Sequence, residues 1–147
     1  MNFLDRSFYL TGGHDGYNSS KSVFYYKVAD NAWFKAPHHL KQDRHSHGSC
    51  LLKSKLWVFG GRCGHHFLDS LEVYDVLHEY FDWQVMGLKM LTKRSCFAIS
   101  PLSDTEFIIM GGTYDGSDLQ DVVILDTANM KPKQIETDPP TAFSCQS

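Results

Sequence analysis

The 147 residues predict an all-β chain built from repeated four-stranded antiparallel units, and three observations carry that prediction. First, a double glycine closes three apolar runs: Phe8-Tyr9-Leu10-Thr11-Gly12-Gly13, Leu56-Trp57-Val58-Phe59-Gly60-Gly61 and Phe107-Ile108-Ile109-Met110-Gly111-Gly112. Second, the last glycines are 48 residues (61 minus 13) and 51 residues (112 minus 61) apart, a period that signals stacked supersecondary units. Third, 13 residues beyond each pair stand Tyr26, Tyr74 and Leu125, each inside another strand-like run. Asp75 and Asp126 follow the last two, and Trp33 and Trp83 lie 7 and 9 residues past their tyrosines.

Each element of the unit has its own physical reason. Leu56 to Phe59 and Phe107 to Met110 are short, continuously apolar and rich in β-branched or aromatic side chains, so each predicts a strand covered on both faces. A glycine pair at the end of such a strand permits backbone angles and close approaches that a Cβ would forbid. Lys53-Ser54-Lys55 and Ser103-Asp104-Thr105 supply hairpin turns ahead of the second and third runs. After each pair comes a polar, glycine-bearing loop and then a third strand: Val23 to Val28, Leu71 to Val76 and Val122 to Asp126. A fourth strand carrying the tryptophan is expected at Ala32 to Lys35 and at Tyr80 to Val85. Four antiparallel strands per roughly 50 residues make one propeller blade, whose twisted faces pack on its neighbours.

The residues then reach a family. Arg44-His45-Ser46-His47, Leu56-Trp57-Val58-Phe59-Gly60-Gly61, Tyr74-Asp75 and Trp83 together resemble a complete kelch repeat. Arg94 opens the third repeat in the same way, with Phe97 in place of the histidine and one residue inserted before the glycines. That repeat lacks the tryptophan; Lys131-Pro132-Lys133 stands there instead, so its outer strand is expected to be loosely packed. The resemblance covers essentially the whole chain and implies kelch-type β-propeller blades. Three are expected, as a partial, open propeller: blade one over 8–37 without its inner strand, blade two over 44–88, blade three over 94–138, and 141–147 as the inner strand of a further blade. Because closed rings hold about four to eight blades, the chain is expected to be a piece of a longer ring, or else to complete one with another chain through its open blade edges.

Composition bounds the function. With 42% hydrophobic and 14% aromatic residues a packed sheet core is within reach. A net charge of −3 argues against nucleic acid or an anionic membrane as the main partner. No apolar run has the roughly 18 residues needed to span a bilayer, and Asp5-Arg6 interrupts the first ten residues, so no secretory signal is read. Cys50, Cys63, Cys96 and Cys145 are scattered, with Cys50 and Cys96 on expected inner strands. Reduced thiols in an intracellular, cytoplasmic setting are expected.

Several constellations point to sharper chemistry and are outweighed. His45-Ser46-His47 and Cys63-Gly64-His65-His66 carry zinc-ligand residue types. However, His47 is already a repeat position, and paired histidines in loops are ordinarily solvated, so no metal is expected. Asp15-Gly16 and Asp115-Gly116 read as turns rather than calcium ligands. No nucleophile elbow, carboxylate pair or phosphate-cradling loop is present, so no catalytic residue and no cofactor are expected.

Recognition is therefore the expected function: a scaffold presenting loops to a protein or acidic-peptide partner. The resemblance implies arginines beside the channel that grip carboxylates with charge-assisted hydrogen bonds. Arg62, directly after its glycine pair, matches one such position, and Arg44 and Arg94 at the mouths of the inner strands match others. For the last two, hydrogen bonding to carbonyls between blades is an equally good reading. Tyr17, Phe67 and Tyr114, in the loops after the glycine pairs, would add amphipathic contact area to the same face. The alternative is part of a kelch-like enzyme, an oxidase or epimerase, or an assembly element that completes a ring.

Overall fold

A computed structural model describes residues 7–136. Blade one consists of β1 (Ser7–Thr11), β2 (Val23–Lys27) and β3 (Ala32–Lys35). Blade two begins with β4 (Gly48–Leu52) and β5 (Lys55–Phe59), sends out the small hairpin β6 (Arg62–Cys63) and β7 (His66–Phe67), and closes with β8 (Ser70–Asp75) and β9 (Gln84–Lys89). Blade three repeats that plan with β10 (Ala98–Pro101), β11 (Glu106–Met110), the hairpin β12 (Thr113–Tyr114) and β13 (Ser117–Asp118), then β14 (Val122–Asp126) and β15 (Lys131–Ile135). The sheets run β1-β2-β3, β4-β5-β8-β9 and β10-β11-β14-β15, antiparallel throughout. The tail expected to form a further inner strand lies outside the described residues.

Strand alternation divides the core into two seams. On one face of blade two, Leu56, Val58, Tyr74 and Trp83 pack with Val23 and Leu40 of the first repeat. On the other, Trp57, Phe59, Leu71 and Val73 pack with Phe107, Ile109, Val123 and Leu125 of blade three. Adjacent residues of β5 therefore serve opposite seams, which is why the run is apolar without a break. Each such side chain, fully buried, contributes about 1.5–3 kcal/mol.

Two expectations are corrected. The fourth strand of blade two starts at Gln84, not Tyr80, and Trp83 precedes it. Asp75 holds the chain in a turn by accepting the Leu77 N–H at 3.0 Å, and the loop so formed leaves Tyr80 and Phe81 exposed. Trp83 is nevertheless buried, stacked on Tyr74 with ring centroids 5.3 Å apart. Cys96 lies before the inner strand rather than on it, at φ 53°, matching Ser46 at φ 52° in the preceding repeat. In blade three β15 pairs with β14 along its whole length, but its side chains are mostly exposed, because charged and proline residues replace the tryptophan.

Candidate functional site

The glycine pairs set the geometry of one end of the blades. Gly60 and Gly61 have φ of 52° and 90°, the left-handed region open to glycine. A Cβ on Gly61 would lie 2.6 Å from the His45 carbonyl oxygen and 2.7 Å from His47 Cβ, so the second glycine lets the strand cross the entry to its own blade. A Cβ on Gly60 would strike Met90 and the Arg94 carbonyl, so the first glycine makes room for the next blade.

Through that gap the blades are latched. The Gly13 N–H donates to the Arg44 carbonyl and the Gly61 N–H to the Arg94 carbonyl, each at 2.9 Å. The two guanidinium groups reach into their own blades: Arg44 Nη1 donates to the Gly60 carbonyl and Arg94 Nη1 to the Gly111 carbonyl, each at 2.8 Å. Arg44 also pairs with Glu72 at 2.7 Å and Arg94 with Asp121 at 2.6 Å. Glu72 additionally accepts the backbone N–H groups of Lys41 and Gln42, which pins the linker between blades one and two.

These contacts correct the assignment of Arg44 and Arg94 as partner-binding residues. Both side chains are buried, 0% and 1% exposed, with their charge engaged by a carboxylate and carbonyls. Each guanidinium braces its own blade while the backbone carbonyl of the same arginine bonds to the preceding one, so neither charge is presented to a partner.

Arg62 differs. It is half-buried on β6, with its Nε unpartnered, and its guanidinium lies 4.8 Å from the centre of the Phe67 ring across the β6–β7 pair. Phe67 in turn meets Tyr114 of the β12–β13 hairpin edge to face, with centroids 5.3 Å apart. A row of cation, phenyl and phenol thus runs from blade two to blade three along the glycine end. Tyr17 projects from the corresponding loop of blade one, 90% exposed. That loop is shaped by Asp15, which accepts the N–H groups of Tyr17 and Asn18 at 2.8 and 2.7 Å. These bonds hold the Asp15 carboxyl below the usual range, as expected of the turn aspartate read from the sequence.

The histidines extend the row on its other side. His45 and Arg62 form an isolated antiparallel bridge. The His45 ring meets the His14 ring edge to face at 4.8 Å, and its Nδ1 shares a 2.8 Å hydrogen bond with the Ser19 hydroxyl. Ser19 Oγ also accepts the Gly64 N–H, which ties the loop of blade one to the hairpin of blade two. Sequence reasoning passed over His14 because it lies outside the repeat positions and meets His45 only across a blade boundary. Cys63 faces His66 within the hairpin register. Among the described residues no cluster of three or more His, Cys, Asp or Glu could hold a metal ion. A hollow lined by Tyr9, Tyr25, Lys27, Leu51, Lys53 and Leu77 opens between blades one and two at the opposite strand ends, away from this row.

A family model described as the KLHDC2/KLHL20/DRC7 Kelch-repeats domain matches residues 1–146. The chain belongs to the kelch-repeat family. Among curated proteins, Tip elongation aberrant protein 3 of Schizosaccharomyces pombe is 32% identical over 75 residues, a match covering 46% of this chain and 7% of that protein's length. The kelch family is in general one of protein-interaction scaffolds, and the three blades are consistent with part of a kelch propeller. No helix among the described residues is long and apolar enough to cross a membrane.

Proposed function

We propose that this kelch unit recognises an acidic segment of a partner protein on its glycine-end loops, with Arg62 as the charged contact and Phe67, Tyr114 and Tyr17 as contact area. The observation that carries the reading is the Arg62–Phe67–Tyr114 row. A guanidinium held over a ring keeps its outer N–H groups available for a carboxylate, and its half-buried setting reduces screening by solvent. The flanking aromatic rings supply rigid amphipathic area of the kind that anchors interfaces. An open rim, rather than a closed cavity, suits an extended peptide. The three free cysteines among the described residues fit an intracellular, cytoplasmic setting.

Selection of a random peptide library on the immobilised chain tests this. Recovered sequences should be enriched in Asp and Glu, and Arg62→Glu should abolish that enrichment while the circular dichroism spectrum is unchanged. Neutral or basic consensus sequences, or acidic ones that survive Arg62→Glu, would overturn the reading.

A second reading, self-association, has its own observation. Phe8, Leu10 and Trp33 of blade one are 66%, 56% and 59% exposed. Their counterparts in blade two, Leu56, Val58 and Trp83, are buried against the preceding repeat. Among the described residues β1 has one strand neighbour, β2, in a three-stranded sheet. A second copy could cover this face. The tail 141–147, expected as the inner strand of a further blade, lies outside the described residues.

A further inference from the structure

The histidines beside Arg62 give the rim a property that the acidic-segment reading does not itself require. His14 comes from the loop of blade one, His45 from the segment entering blade two, and Arg62 from β6. The first two are joined by the 4.8 Å ring contact and the last two by the backbone bridge. Three nitrogen-bearing side chains from three separate segments are thus linked in a chain, with Arg62 at its end against the Phe67 ring. The supports are built in. Ser19 Oγ accepts the Gly64 N–H and shares its other bond with His45 Nδ1, while His14 Nδ1 accepts the Gly16 N–H at 3.0 Å. Each imidazole is therefore oriented through Nδ1.

We propose that His14, His45 and Arg62 form an oxyanion-binding corner of the recognition face, and that a carboxylate held there is bound more tightly as the pH falls because His45 takes up a proton. This inference rests on the acidic-segment reading for the identity of the ligand and on the geometry above for the site.

The charged groups around the corner decide the direction. From the blade-one loop come His14 and Asp15, from the segment entering blade two Arg44 and His47, and from β6 Arg62. Burial holds the His45 imidazole below its ordinary protonation range, with His14 and then Arg62 adding to the effect. Arg44 is neutralised by Glu72, and Asp15 is turned into its own loop by two backbone N–H groups. The corner is left rich in donors and poor in acceptors. A bound oxyanion supplies the missing negative charge, lifts the repulsion on the His45 imidazolium, and so couples binding to proton uptake.

Nuclear magnetic resonance of the His45 ring in the full chain tests the corner directly. In sodium sulfate the His45 titration midpoint should stand about half a pH unit or more above that in sodium chloride of equal ionic strength. The difference should shrink in Arg62→Gln and in His14→Asn, the latter on an exposed loop. Coincident midpoints in the two salts would overturn the proposal, as would a sulfate shift that survives both variants. In a second arm an acetylated hexaglutamate peptide should bind at least about threefold more tightly at pH 5.5 than at pH 7.5, the affinity equivalent of half a unit. Equal peptide affinity at the two pH values overturns the coupling. A sulfate response without any peptide binding keeps the oxyanion corner and removes the acidic-segment reading instead.

Discussion

His47 and Phe97 hold the same place in successive repeats, each three residues past its latch arginine, yet they serve different chemistry. His47 Nε2 and Thr11 Oγ1 are 2.8 Å apart across the first seam, while Phe97 packs on the apolar cluster that includes Phe59. Thr11 and Phe59 are themselves equivalent, each directly before its glycine pair. Positions that hold a polar pair in one seam are thus both aromatic in the next. Burial, followed by the nearby Arg44 and His45, pushes the His47 imidazole down from 6.5 to about 4, so it is neutral in the fold. The unfolded chain protonates at the ordinary value. Stability is therefore complete above pH 6.5 and falls as the pH drops toward 4, by an amount on the order of 3 kcal/mol from this residue if its full shift is realised. The double variant His47→Phe with Thr11→Val should flatten urea-melt stability across that window. His45 leaves a residual slope, because its protonation is also disfavoured in the fold. The turn carboxylates Asp15, Asp75 and Asp126, held below 3.8, act only at lower pH. An undiminished slope in the double variant would place the acid sensitivity elsewhere.

Among the elements, the strands that carry tryptophan give the sharpest contrast. Trp83 is 2% exposed inside the first seam, whereas Trp33 is 59% exposed on the outer face of blade one and leans on Tyr26. Trp83→Ala should cost about 3–5 kcal/mol in denaturant melts, and Trp33→Ala much less, because little is removed from a core. Equal small losses at both positions would contradict the seam described for blade two. The same elements show what the sequence could convey. Strands β5, β11 and β14 were legible because a blade interior demands unbroken apolar residues on both faces. β9 was displaced because Tyr80, Phe81 and Trp83 look alike in a list of residues, and only the turn held by Asp75 determines which of them points inward. The arginine latches were half legible: the spacing located Arg44 and Arg94, but their roles depend on carboxylates that differ in position between blades. Glu72 sits two residues beyond Ser70, the residue equivalent to Asp121, so no repeat motif could name both counter-ions. Of the rim, Arg62 and Phe67 could be read within one hairpin, while their junctions with Tyr114 and His14 cross blade boundaries and required the fold.

At the scale of the whole molecule, the exposed face of blade one is a row of large apolar side chains, Phe8, Leu10 and Trp33, a surface that invites contact with another chain. Multi-angle light scattering on the full chain should report a species of twice the mass, or larger. Trp33→Lys together with Leu10→Lys should return it to one chain without loss of the seam around Trp83. Removal of the residues after Pro140 separates a contribution of the tail from that of the face. A monomer at all concentrations, indifferent to both changes, would exclude self-association through this surface.

The two seams also differ in the forces that would open them. The one between blades one and two holds a buried ion pair, a linker hung from the Glu72 carboxylate and a neutral histidine. The one between blades two and three has its own arginine–carboxylate pair, Arg94 with Asp121, but is lined by Trp57, Phe59, Phe107 and Ile109, with Phe97 where the first seam has His47. The molecule is therefore built as a hinge of two unlike materials. Acid acts on the side that holds His47, and a breach there wets groups that water can solvate; a breach on the other side uncovers oil. Acidification should peel blade one away and leave blades two and three packed together, so the contact between Thr11 and His47 is where this protein first gives way.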